Sequence, residues 1–250
     1  MSEIRRWTLV LVAIALLPQY SAAQIPDEFT NLKVLPEDIG RGDLTGIMRG
    51  YAGALGVRCI HCHVGEDPSD LDSVDFVSDE REAKRVARAM MRMVQEINGT
   101  LLPATGREDS LEVGCRTCHH GLSQPQSLHD LLAEEVEQNG AAAAIARYRE
   151  LREEYYGRDA YDFGPQALNG LAEQLARTQQ DAETGLALVR LNLEFHPDSH
   201  YTHFVLGGLL AAGGDRDGAA ASIRHAIKLD PGNSWYERAL QQVVGEEGKE

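Results

Sequence analysis

Apolar residues along this chain recur mostly at the three- and four-residue spacing of amphipathic helices, and period-two alternation is scarce. Within residues 79–98, Val86, Met90, Met93 and Ile97 form one such stripe, which predicts a helix there. A second helix is predicted over residues 43–55. Residues 128–138 and 141–155 read as two more, broken at Asn139-Gly140, a helix-ending pair. The pattern therefore predicts an all-α protein with irregular connections.

Two stretches refine that outline. Arg5 and Arg6 precede an apolar run of about a dozen residues, 7–17, and Ser21-Ala22-Ala23 supplies small residues before Gln24. This is the pattern of a signal peptide over residues 1–23, and the run is short of the roughly 20 residues that cross a bilayer. It predicts a periplasmic or otherwise exported bacterial chain, soluble once the signal is removed, with no integral membrane span. Near the other end, His196-Pro197-Asp198-Ser199 and Leu229-Asp230-Pro231-Gly232-Asn233 set two prolines 34 residues apart, the tetratricopeptide period. Between them Leu206, Gly207, Leu210, Gly213, Ala219, Ile223 and Ala226 fall where two packed helices need small and apolar residues. Ala172, Ala176, Gly185, Val189 and Asn192 trace a weaker earlier copy. With a linker at residues 122–126, the expected organisation is a signal peptide (1–23), a first domain (24–125) and a helical, tetratricopeptide-like domain (126–250).

The formal charge is −15, and removing residues 1–23, which hold Glu3, Arg5 and Arg6, leaves −16. Such a surface argues against nucleic acid as a partner, because phosphate binding needs basic residues. It keeps a protein in solution, and it would also steer a basic redox partner.

The four cysteines fall into two strings, Cys59-Ile60-His61-Cys62-His63 and Cys115-Arg116-Thr117-Cys118-His119. Both read C-x-x-C-H. Two thiols at that spacing on a tight turn can form thioethers with the two vinyl groups of a porphyrin, and the next histidine can then reach the iron. A four-sulfur zinc site gives no reason for a histidine after each pair. A disulfide across two residues closes a small strained loop, and a thioredoxin-like pair expects a sheet. The prediction is two covalently bound haem c groups, with Cys59, Cys62, Cys115 and Cys118 as anchors and His63 and His119 as iron ligands. Much of the first domain is then loop wrapped around porphyrin. The sixth iron position takes methionine or histidine. Met48 precedes Cys59 by 11 residues, and Met90, Met91 and Met93 lie on the second helix. Spacing alone leaves Met93 open between core filling and ligation. His61 and His120 could replace a methionine or lie at the surface.

Residues 31–125 resemble the cytochrome c subunit of photosynthetic reaction centres. The resemblance rests on the helix with Met48 leading into Gly56-Val57-Arg58-Cys59, on the helix from Lys84 through Met93 to Asn98, and on Gly114-Cys115-Arg116-Thr117-Cys118-His119-His120-Gly121. It implies paired haems and a distal methionine from the helix before each motif, which would be Met48 for the first and Met93 for the second. The photosynthetic subunit carries four haems, whereas this chain has one two-haem unit followed by a different domain.

The function expected from these residues is electron transfer between a redox donor and an acceptor, without a catalytic residue. The helical repeats would dock a protein partner or assemble copies of the chain. A di-haem peroxidase and a haem-based redox sensor or scaffold are the competing readings. The aromatic residues Tyr155, Tyr156, Tyr161 and Phe163 would form either a packed inter-helix loop or an interface near a haem.

Overall fold

The computed structural model describes residues 28–106, 111–178 and 181–245; the signal-peptide reading of residues 1–23 lies outside them. The described residues are all-α. Among them there is no strand, only an isolated antiparallel bridge between Val64 and Asp75. Two compact units divide between Thr117 and Cys118, inside the second C-x-x-C-H string.

In the first unit, α1 (Arg41–Leu55) has Asp43 in its first turn, where a carboxylate complements the helix dipole. It buries Leu44 and Ala54 and stops at Gly56. A 3-10 turn, Cys59–His61, follows. α2 (Glu82–Glu96) begins three residues after the predicted start. The reason is that the Asp79 carboxylate is engaged by Lys33, Lys84 and Arg88 rather than serving as the first helical residue. α2 then loosens into a π-helical turn, Ile97–Leu101, before a single turn α3 (Leu102–Ala104). The cause is local: Gly99 is a poor helix former and Pro103 offers no N–H. α4 (Cys115–His119), which the division between the units crosses, carries the second string.

This unit has little core of its own. Among its described residues the buried apolar ones are Leu44, Ala54 and Val74. The stripe on α2 faces outward, with Val86 47%, Met90 41% and Met93 48% exposed. Among the described residues the periodicity marks a real helix, but its apolar face stays largely exposed.

The second unit is a stack of helices: α5 (Leu128–Asn139), α6 (Ala141–Tyr155), α7 (Pro165–Thr178), α8 (Ala182–Phe195), α9 (His200–Ala212), α10 (Arg216–Leu229) and α11 (Ser234–Gly245). From α7 onward each helix packs on the next, while α5 also touches α7, α6 touches α8 and α7 touches α9. The break between α5 and α6 falls at Gly140, as predicted. One apolar core runs from Leu128 on α5 to Leu209 on α9, and a smaller one joins Ile223, Ala226 and Tyr236.

Close helix crossings explain the small residues of the repeat. A Cβ on Gly207 would stand 2.6 Å from Ile223 and 3.1 Å from the Ala219 carbonyl. On Gly185 it would stand 3.0 Å from the Ala172 carbonyl. Asp181 and Asp215, 34 residues apart, cap α8 and α10 by accepting from Thr184 N and Gly218 N. Asn192, a position of the weaker copy, donates to the Pro165 carbonyl and to Asn169 Oδ1, while Asn169 donates to Thr202. This buried network ties α7, α8 and α9 together. Three of the four aromatic residues pack where α6 leads into α7: Tyr155, the last residue of α6, stands perpendicular to Tyr161, and Phe163 is buried, whereas Tyr156 is exposed with the Arg152 guanidinium 4.0 Å over its ring. No helix among the described residues is long and apolar enough to cross a membrane.

Candidate functional site

At the first motif the chain leaves α1 and winds through Cys59–His61, so that the N–H groups of Cys62 and His63 both donate to the Cys59 carbonyl. This tight turn presents Cys59 outward and leaves Cys62 and His63 half-buried. The Phe76 ring meets the His63 imidazole edge-on, with centroids 5.0 Å apart at 61°. The Val64–Asp75 bridge, closed by Asp75 N donating to the Val64 carbonyl at 2.8 Å, lays the loop carrying Phe76 beside the motif. Burial, and after it the charge of Lys84, pull the pKa of His63 down to about 4. The imidazole is therefore neutral at ordinary pH, the form that can ligate a metal. Its Nδ1 is buried without a hydrogen bond of normal geometry. The Phe76 carbonyl exerts a weak opposite pull on its pKa.

At the second motif α4 opens on Cys115. Gly114 N donates to Thr117 Oγ1 at 3.0 Å, which closes the turn before the helix. After His119 the chain reverses through His120 (φ 50°) and Gly121 (φ 92°), the left-handed region that favours glycine. The reversal brings the Leu122 carbonyl to 2.8 Å from His119 Nδ1. A carbonyl only accepts, so Nδ1 is the donor here, and Nε2 is the ring nitrogen left to face a metal, the arrangement common for a metal-binding histidine. Upstream, Asn98 in the π-helical turn donates to the Val113 carbonyl at 2.8 Å and accepts from Val113 N at 2.9 Å. That pair of bonds fastens the approach to Cys115 onto the end of α2. π-turns commonly occur where a site requires such a redirected side chain.

Met48 is half-buried on α1 and Met93 half-exposed on α2. Tyr51, one turn beyond Met48, has its pKa raised first by burial and then by Cys115, so within the first unit α1 lies near Cys115. His61 and His120 are exposed. Among the described residues no disulfide joins the cysteines, and no cluster of three or more His, Cys, Asp or Glu side chains forms a metal site.

Haem fits this arrangement. Four cysteines stand outside disulfides, one histidine is held neutral by burial, and the other has Nδ1 engaged so that Nε2 is available. The first unit also leaves the apolar stripe of α2 largely exposed.

The motifs were legible in the sequence, and their supports were not. Phe76, Asp79, Lys84 and the Leu122 carbonyl carry no local signal, because each acts on residues brought near by folding. Asn98 alone had one, the Asn98-Gly99 pair that ends a helical pattern.

The model of the family described as photosynthetic reaction centre cytochrome C subunit matches residues 27–156, more than half of the chain. The match continues past Pro125 through α5 and α6. No curated protein matches the chain.

Proposed function

The chain belongs to the photosynthetic reaction centre cytochrome C subunit family, hence to c-type cytochromes of electron transfer with covalently bound haem c; on that premise we propose an exported carrier with two haems. Haem c supplies a one-electron iron couple. Cys59 and Cys62 anchor the first group and Cys115 and Cys118 the second. His63 and His119 are the proximal ligands. Met48 and Met93 are the distal ligands, an assignment that follows the family pattern of a methionine on the helix before each motif. Thioether anchors would keep each group on the chain in both oxidation states, and the two half-buried imidazoles would supply nitrogen ligands to its iron.

The observation that carries the reading is the pair of C-x-x-C-H strings, each on a turn that leaves its histidine competent for ligation. The acidic chain would attract a basic redox donor or acceptor. The α5–α11 stack, whose helix crossings are close at Gly185 and Gly207 and whose Asp181 and Asp215 caps lie 34 residues apart, would act as a tetratricopeptide-like surface for docking or self-assembly.

Mass measurement and visible spectra on protein matured in a haem-attaching host test this. Wild type should carry two haem masses. Cys59→Ser with Cys62→Ser, and Cys115→Ser with Cys118→Ser, should each carry one. A colourless wild-type chain would end the reading.

A further inference from the structure

Lys84 is the one charged side chain among the described residues that is buried, at 8% exposure. A buried ammonium is costly unless fully hydrogen-bonded. Its Nζ lies 2.9 Å from the Phe76 carbonyl, 3.0 Å from that of Val77 and 2.7 Å from that of Ser78, and 3.4 Å from Asp79 Oδ1. Three carbonyls around one nitrogen call for three donated protons. A neutral amine has two, so the group here is the ammonium.

The loop it holds is the one that borders the first motif. Phe76, whose carbonyl Lys84 binds, meets the His63 ring at 5.0 Å, and Asp75 is bridged to Val64. The charge around Lys84 is not cancelled. Asp79 is shared with Lys33 and with Arg88, whose Nη1 lies 2.8 Å away, and Asp75 is the other carboxylate acting on both His63 and Lys84.

We propose that Lys84 is a positioning residue for the first haem: it pins residues 76–78 against His63 and holds a fixed positive charge beside that ligand, which raises the reduction potential of that haem above what the fold would otherwise give. The inference rests on the haem reading above. A positive charge in a poorly hydrated interior is little screened by salt and disfavours the more positive ferric state. Burial and the electrostatic surroundings are among the means by which proteins set haem potentials. A lysine that only tied down a loop would stabilise the fold and leave the potential alone.

Spectroelectrochemical titration of the full haem-loaded chain separates these roles. In Lys84→Gln, one of the two midpoints should fall, with the reduced-to-oxidised ratio of that haem at fixed potential dropping on the order of tenfold, which is 59 mV for one electron. The other midpoint should not move. Lys84→Arg should restore most of the shift. Two unmoved midpoints in haem-loaded Lys84→Gln overturn this inference alone, as does an equal fall in both. A wild-type chain without covalent haem overturns the haem reading and the inference together. Should Lys84→Gln fail to retain haem, Asp79→Asn carries the test: it removes the carboxylate and leaves the ammonium, so the same midpoint must rise, and no rise overturns the proposal.

Discussion

On the proposed two-haem reading, replacing Asn98 by alanine should loosen the site at Cys115 and leave the one at Cys59 intact. The side chain makes two hydrogen bonds to the backbone of Val113, two residues before Cys115, at 2.9 Å to its N–H and 2.8 Å to its carbonyl. Each intramolecular hydrogen bond is worth about 0.5–1.5 kcal/mol net, so losing both costs about 1–3 kcal/mol. That is roughly a 5- to 150-fold shift towards the open form of the segment leading into the motif. The assay is guanidinium unfolding of the haem-loaded chain, followed by visible absorption, which reports iron ligation. The expected result is a lower midpoint for Asn98→Ala, with the ligand spectrum of one haem lost before the other. Asn98→Asp keeps an acceptor for Val113 N but sets a second oxygen against the Val113 carbonyl, and should be at least as damaging. The reasoning is refuted if Asn98→Ala unfolds at the wild-type midpoint, or if Asn98→Asp matches wild type.

Two adjacent glycines on α9 should respond in opposite directions. Gly207→Ala drives a methyl to 2.6 Å from Ile223 and should destabilise by about 1–3 kcal/mol, whereas Gly208→Ala has nothing within 4 Å of its new methyl and should gain about 0.5–1 kcal/mol. Urea unfolding of the two variants against wild type checks the pair, and equal effects would mean that the α9–α10 crossing is not close. Acid should selectively weaken the first unit through Asp79. Hydrogen bonds from Lys33 and then Arg88 hold its carboxyl well below the ordinary carboxylate range, so its stabilisation is complete above about pH 4 and is lost as pH falls further. Thermal melts at neutral and acid pH should show Asp79→Asn less stable than wild type at pH 7 and less sensitive to acid; parallel curves for the two proteins would contradict this.

The helical class and some of the helix ends were readable because they depend on local periodicity and on punctuating residues, whereas the start of α2 at Glu82 and its π-turn were not. Asn139-Gly140 ends α5, Gly56 ends α1, and the helix predicted over residues 43–55 appears as Arg41–Leu55. The site was readable at the level of the C-x-x-C-H strings, since their chemistry requires neighbours in sequence. The supports are different. Lys84 sits in a helix that reads as amphipathic with polar residues outward, yet it is the buried residue while Val86, Met90 and Met93 are exposed. Periodicity says which residues share a face and not what lies against it.

What the linear chain determined by itself was therefore the two C-x-x-C-H strings, most of the helices that frame them and the 34-residue spacing within the second unit. Only folding decided that Phe76 would lie on His63, that the Leu122 carbonyl would hold His119, and that Asn98 would fasten the approach to Cys115. The physical reason is that these contacts depend on backbone carbonyls and ring edges. Every residue carries such carbonyls, and they acquire a role only from the neighbours that the fold brings within about 3 Å of them.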